Sequence, residues 1–168
     1  TYDAILETLD LIGKEGERHP SLFANKDEEG MRDLLLVVLN SKFQGSATGE
    51  TFSKRGKTDI FFVKEKTAIF VAECKIWSGK SEHLKAIDQL LRYLTWRDTK
   101  VALIHFSRKA GFTAVLEEIR KTTPEHPKCK ALVGEINPSF FKFEMEFPQD
   151  AAAKVLRAVL AFDLSPSV

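Results

Sequence analysis

Residues Ala68–Ile76 read Ala-Ile-Phe-Val-Ala-Glu-Cys-Lys-Ile, a run apolar on both faces until Glu73 and Lys75 interrupt it. Side chains two apart on a strand share a face, so Glu73 and Lys75 point one way. Phe70, Ala72 and Cys74 fill the other face. A run this apolar belongs in the middle of a sheet. Charge buried there is costly unless something compensates it. The fold must therefore cover this strand on both sides and still accommodate a carboxylate and an ammonium.

The preceding segment, Thr58–Val63, is β-branched and aromatic, and Lys64-Glu65-Lys66 makes a polar turn after it. Two strands joined this way form an antiparallel hairpin, which brings Asp59 beside Glu73. Elsewhere the period is helical. Ile5, Leu9, Leu11 and Ile12 mark a first helix over 2–16, which Gly13 and Gly16 are expected to end. Asp27 is the expected N-cap of a second helix, through Met31, Leu34, Leu35, Val38 and Leu39 to about Phe43. A strand over Ala47–Lys54 precedes the hairpin. After it come a helix over His83–Trp96, a strand over Val101–Phe106 and a helix over Phe112–Lys121. Cys129–Val133 and Phe140–Phe147 read as strands, and Ala151–Phe162 as a closing helix. The expected order is α-α-β-β-β-α-β-α-β-β-α, a mixed α/β domain around one sheet. At 168 residues the chain suits a single domain. It lacks a start Met, and the expectation is a module of a longer protein.

Asp59, Glu73 and Lys75 together suggest chemistry. Carboxylate oxygens from two strands can hold Mg²⁺, a hard cation that keeps several waters. Such an ion offsets charge on a scissile phosphate and activates a water, which a neighbouring ammonium can orient. A solvated turn aspartate and an exposed ion pair would give the same short pattern, but not inside so apolar a strand.

Asp59 followed by Glu73-x-Lys75 on a hydrophobic hairpin resembles the PD-(D/E)xK phosphodiesterase superfamily. The resemblance covers roughly residues 26–121 and implies a restriction-endonuclease-like fold. That fold has a central mixed sheet flanked by helices and an α-β-β-β-α-β core. Residues 122–168 are then a C-terminal elaboration. Thr58 stands where the superfamily's name has Pro, a position that varies widely among its members. Members often carry a metal-site Glu on the first core helix, where this chain has Glu28 and Glu29. Glu28 is three and seven residues from Met31 and Leu35, on the core-facing stripe, and is preferred. Gln89-x-x-x-Tyr93 resembles the QxxxY element of RecB-like members, which shapes the site and holds DNA.

The resemblance implies a Mg²⁺-dependent nuclease, with Mn²⁺ able to substitute, acting on DNA in preference to RNA. Glu28, Asp59 and Glu73 would ligate metal, Lys75 would orient the water, and Gln89 and Tyr93 would support site or substrate. Double-strand cleavage by one such site calls for two chains, so a homodimer is among the expected partners. The alternative is an inactive nucleic-acid-binding or assembly module on the same fold. Charge is compatible with either: residues 54–109 carry 13 basic against 6 acidic side chains between acidic flanks. Composition alone would make those cations solvated surface.

The remaining signals have plain readings. Cys74 and Cys129 form no disulfide framework or zinc site, which suits a reducing cytoplasm. No apolar run approaches a membrane span. Trp77 and Trp96 are expected in the core. His19, His83, His105 and His126 are scattered along the chain, and no cluster is expected among them.

Overall fold

The computed structural model describes residues 2–43, 51–53, 59–64, 67–92, 94–97 and 100–166. Helices α1 (Tyr2–Arg18) and α2 (Glu28–Phe43) lead into strands β1 (Thr51–Ser53), β2 (Asp59–Lys64) and β3 (Thr67–Ile76). Helix α3 (Lys80–Arg92), strand β4 (Lys100–Ser107) and helix α4 (Phe112–Thr122) follow. Strands β5 (Cys129–Asn137), β6 (Phe140–Phe147) and β7 (Asp150–Asp163) complete the chain. Among the described residues they form one seven-stranded mixed sheet in the order β1-β2-β3-β4-β7-β6-β5. β3, β4 and β7 run parallel, and the remaining neighbours pair antiparallel.

Alternation along the strands divides the core in two. Phe70, Ala72, Cys74, Ile104, Phe106, Leu160 and Phe162 pack with Ile5, Leu9, Met31, Leu35 and Leu39 of α1 and α2. Val71, Trp77, Leu103, Val159 and Ala161 pack with Ile87, Leu90, Val115 and Ile119 of α3 and α4. β3 is thus covered on both faces, as its composition requires. Asp27 caps α2 as expected, its Oδ1 accepting the Gly30 N–H at 2.8 Å.

Three expectations are corrected. Ala151–Phe162 is not a closing helix but lies in β7, hydrogen-bonded between β4 and β6. Its alanines favour a helix in isolation. Alternate residues nevertheless bury on both faces, Val155 and Val159 on one side and Ala158, Leu160 and Phe162 on the other. Two ladders of backbone hydrogen bonds and two covered faces outweigh propensity summed over a dozen residues. The C-terminal segment therefore supplies a strand in the middle of the sheet. Second, α3 stops at Arg92, and Trp96 lies beyond it, 61 % exposed instead of in the core. Third, α1 runs through Gly13 and Gly16 to Arg18. Both glycines are points of close approach. An added Cβ would overlap the Phe162 ring at Gly13 and the Phe23 ring at Gly16.

Gly13→Ala should therefore destabilise, although Ala is the better helix former by about 1 kcal/mol. Forcing the Phe162 ring aside costs about 1–3 kcal/mol. A thermal melt should show a lower Tm than wild type, and a higher one would refute the close contact.

Arg157 on β7 is fully buried, and none of its guanidinium nitrogens has a hydrogen-bond partner among the described residues. The guanidinium sits 5.7 Å from the Phe143 ring centroid, and burial pushes its pKa down to about 10. A buried cation without a hydrogen-bonding partner opposes folding. Arg157→Met, which keeps an unbranched apolar stem, should raise stability by on the order of 1 kcal/mol or more. Denaturant titration reads this as a higher midpoint at unchanged slope.

Candidate functional site

β2 and β3 set the position of the acidic pair. Asp59 is the register partner of Glu73 in the antiparallel ladder, and directly opposed residues occupy one face. The Asp59 side chain is not among those described. Glu73 is fully buried, and Lys75 Nζ lies 3.2 Å from its Oε1. Lys75 keeps a quarter of its side chain in solvent. The apolar flanks of β3 draw the strand inward, and the alternation carries Glu73 and Lys75 onto the α3/α4 side with it.

Lys75 also lines a cavity of about 60 Å³ at the C-terminal ends of β3 and β4. Glu28, Ile76, Trp77, Ser78, Gly79, Glu82, His83 and His105 complete its wall. Glu28 is half-buried as the first residue of α2, whereas Glu29 is exposed. Of the two candidate helix ligands, Glu28 is the one that reaches the Lys75 cavity. Gln89 is half-buried on α3 and does not line it. Tyr93 lies outside the described residues, so the geometry of the Gln89–Tyr93 pair does too. Trp77 is buried, as expected, and so is Cys74.

The histidines correct the expectation that they are scattered. His83 and His105 are both buried and bonded to each other, His83 Nδ1 to His105 Nε2 at 2.8 Å. The bonding also assigns their protons. The Thr123 hydroxyl donates to the Ile119 carbonyl at 2.7 Å, so it accepts from His83 Nε2–H at 2.8 Å. His83 Nδ1 is then an acceptor, and His105 Nε2–H donates to it. His105 Nδ1 remains a lone pair, buried and without a hydrogen-bond partner among the described residues. The Trp77 ring stands edge-on to His105, with centroids 5.1 Å apart. His105 is the parallel register partner of Lys75. Only pairing β3 with β4, and setting the first turn of α3 above them, brings these residues together. Their spacing of 22 residues carries no such signal.

Both imidazoles are held neutral. Burial pushes His83 down to about 2, helped by the positive charge of Arg157. Burial likewise pushes His105 down to about 3, helped by Arg157 and Lys75. The unfolded chain takes up protons near pH 6.5, while the folded one does not. Stability is therefore complete above about pH 6.5 and falls as the pH drops toward 3. The slope is up to about 1.4 kcal/mol per pH unit for each histidine. Urea midpoints measured from pH 7.5 to 4 should fall on acidification. His83→Gln should flatten that fall.

Oxygen donors from adjacent strands have the chemistry Mg²⁺ takes. Glu73, fully buried on a strand, fits such a site better than it fits an apolar core. Among the described residues no group of three or more His, Cys, Asp or Glu side chains is set to hold a metal, and the Asp59 carboxylate lies outside that set. No described helix is long and apolar enough to cross a membrane. Comparison of the chain with protein-family models, curated proteins and solved structures finds no match.

Proposed function

We propose that the chain is a metal-dependent nuclease of the PD-(D/E)xK type on a restriction-endonuclease-like fold, cleaving DNA in preference to RNA. The observation that carries the reading is the register of Asp59 opposite a fully buried Glu73, with Lys75 Nζ 3.2 Å from that carboxylate. The antiparallel β2–β3 hairpin, followed by α3 and the parallel strand β4, is the arrangement the resemblance implies. Cys74, buried, and Cys129, partly buried, are not joined in a disulfide, which suits a cytoplasmic setting.

Glu28, Asp59 and Glu73 would hold Mg²⁺ or Mn²⁺. The bound ion would supply charge neutralisation at the phosphate and lower the pKa of a water. The chain's own residues do the rest. Lys75, partly open to solvent beside Glu73, donates toward the attacking water or toward the charge that develops on phosphate oxygen. The water oxygen bonds to phosphorus and the bond to the leaving oxygen breaks. The proton lost by the water leaves to solvent, and the leaving oxygen is protonated from solvent. Glu73, held in the sheet, keeps Lys75 in place. Gln89 of α3 and Tyr93 would support site or substrate. Cutting both strands of a duplex would call for a homodimer.

Cleavage of labelled circular and linear DNA, with Mg²⁺, Mn²⁺ or EDTA, tests the proposal. The wild type should cleave only with metal, and Asp59→Ala and Lys75→Ala should each lose about 10²-fold or more. Lys75→Ala leaves Glu73 buried without its Lys75 partner and should also melt earlier. Activity is therefore compared well below both melting temperatures. Failure to cleave with any metal, with DNA binding kept in all three proteins, would replace the enzyme by a binding module on the same fold.

A further inference from the structure

His105, which lines the cavity beside Lys75, carries an acceptor that the proposed metal chemistry does not use. His105 is fully buried, yet its Nδ1 has no hydrogen-bond partner among the described residues. A buried acceptor left unmet costs about 1–3 kcal/mol. The ring cannot turn away from that cost without breaking its bond to His83 and leaving its edge contact with Trp77. The chain from Thr123 through His83 determines which nitrogen carries the proton, so Nδ1 is presented as a lone pair.

The cavity lined by His105 measures about 60 Å³. Ligand pockets run to about 300 Å³ or more, so a nucleotide is excluded. One or two waters fit, since each occupies about 30 Å³ in the liquid. Polar groups line it on several sides, namely Glu28, Lys75, Ser78 and Glu82, as a retained water requires.

We propose that this cavity holds an ordered water hydrogen-bonded to His105 Nδ1 beside Lys75, and that His105 is thereby a positioning residue for the hydrolytic water. The second half of the proposal rests on the nuclease reading. The water gives one O–H to Nδ1, which turns an oxygen lone pair away from the imidazole and toward the open side of the site. His105 takes no proton in the reaction. It stays a neutral acceptor throughout, fixed in place by His83 and Trp77. Orientation of this kind acts on the chemical step and leaves substrate binding alone.

Two substitutions separate positioning from mere packing. His105→Asn retains an acceptor near the Nδ1 position and loses the reach to His83. His105→Gln retains a donor near the Nε2 position and loses the acceptor. The proposal expects His105→Gln to lower kcat on the order of 10²-fold at unchanged KM, with His105→Asn recovering most of it. A purely structural role predicts the reverse order, with His105→Asn the worse variant in both Tm and kcat, and that order would overturn the proposal.

NMR of the wild type, labelled with ¹⁵N-histidine, requires neither variant folding nor activity. It should show Nε2 protonated and Nδ1 bare on His105, with a cross-relaxation peak between the His105 ring C–H and a long-lived water. A proton on Nδ1, or no such water, overturns the site itself. If the wild type cleaves nothing with any metal while the NMR signature is present, the water site stands and its catalytic assignment falls with the nuclease reading.

Discussion

Glu73 is a fully buried carboxylate on a strand covered from both sides, and much of the structure can be read as the arrangement that makes this tolerable. An ionised carboxylate removed from water needs a partner of opposite charge and further hydrogen bonds. Lys75 supplies the first from the same face of β3. Its position near the strand's C-terminal end lets the ammonium keep contact with solvent while the carboxylate does not. β2 on one side and β4 on the other hold the backbone of β3 in register, so the pair cannot move outward to relieve the desolvation. A site built on strands in this way is more rigid than one built on loops.

The polar residues on the α3/α4 side are unevenly satisfied. His83 and His105 share one hydrogen bond and are neutral because burial disfavours their charged forms. Arg157 shares that layer, its three guanidinium nitrogens positioned over the Phe143 ring and without hydrogen-bond partners among the described residues. Its positive charge helps keep the imidazoles unprotonated. On the α1/α2 side the buried Arg32 of α2 is paired with Asp33 at 2.7 Å, and packing there is tight enough that glycine is required where α1 crosses Phe162. The proposed site lies at the C-terminal ends of β3 and β4, on the α3/α4 side. There the mouth between β3, α2 and α3 is polar.

What was legible in the sequence was local. Apolar, β-branched runs between turn residues located β2, β3 and β4 to within two residues or so, because such a run has few other readings. Helical spacing located α2 and α4 equally well, and Asp27 marked the start of α2. The opposition of Asp59 and Glu73 followed from a short hairpin turn, which sets register over the few residues it joins. The failures came where local preference and environment disagree. An alanine-rich segment became β7 because strands waited on both sides of it. Gly13 and Gly16 sit inside a helix because the Phe162 ring of β7 and the Phe23 ring of the following connection need their space.

The sequence by itself determined that one strand is apolar on both faces and carries a carboxylate and an ammonium on the same one. It also determined that a short hairpin sets an aspartate opposite that carboxylate. Both depend only on the two-residue period of a strand and on a turn of a few residues. Tertiary structure alone decided that β7 lies in the middle of the sheet, that His83 meets His105, and that both adjoin the Lys75 cavity. Those contacts join residues far apart in the chain through strand order and helix placement. The total burial of the whole sheet selects that arrangement, and no short segment encodes it.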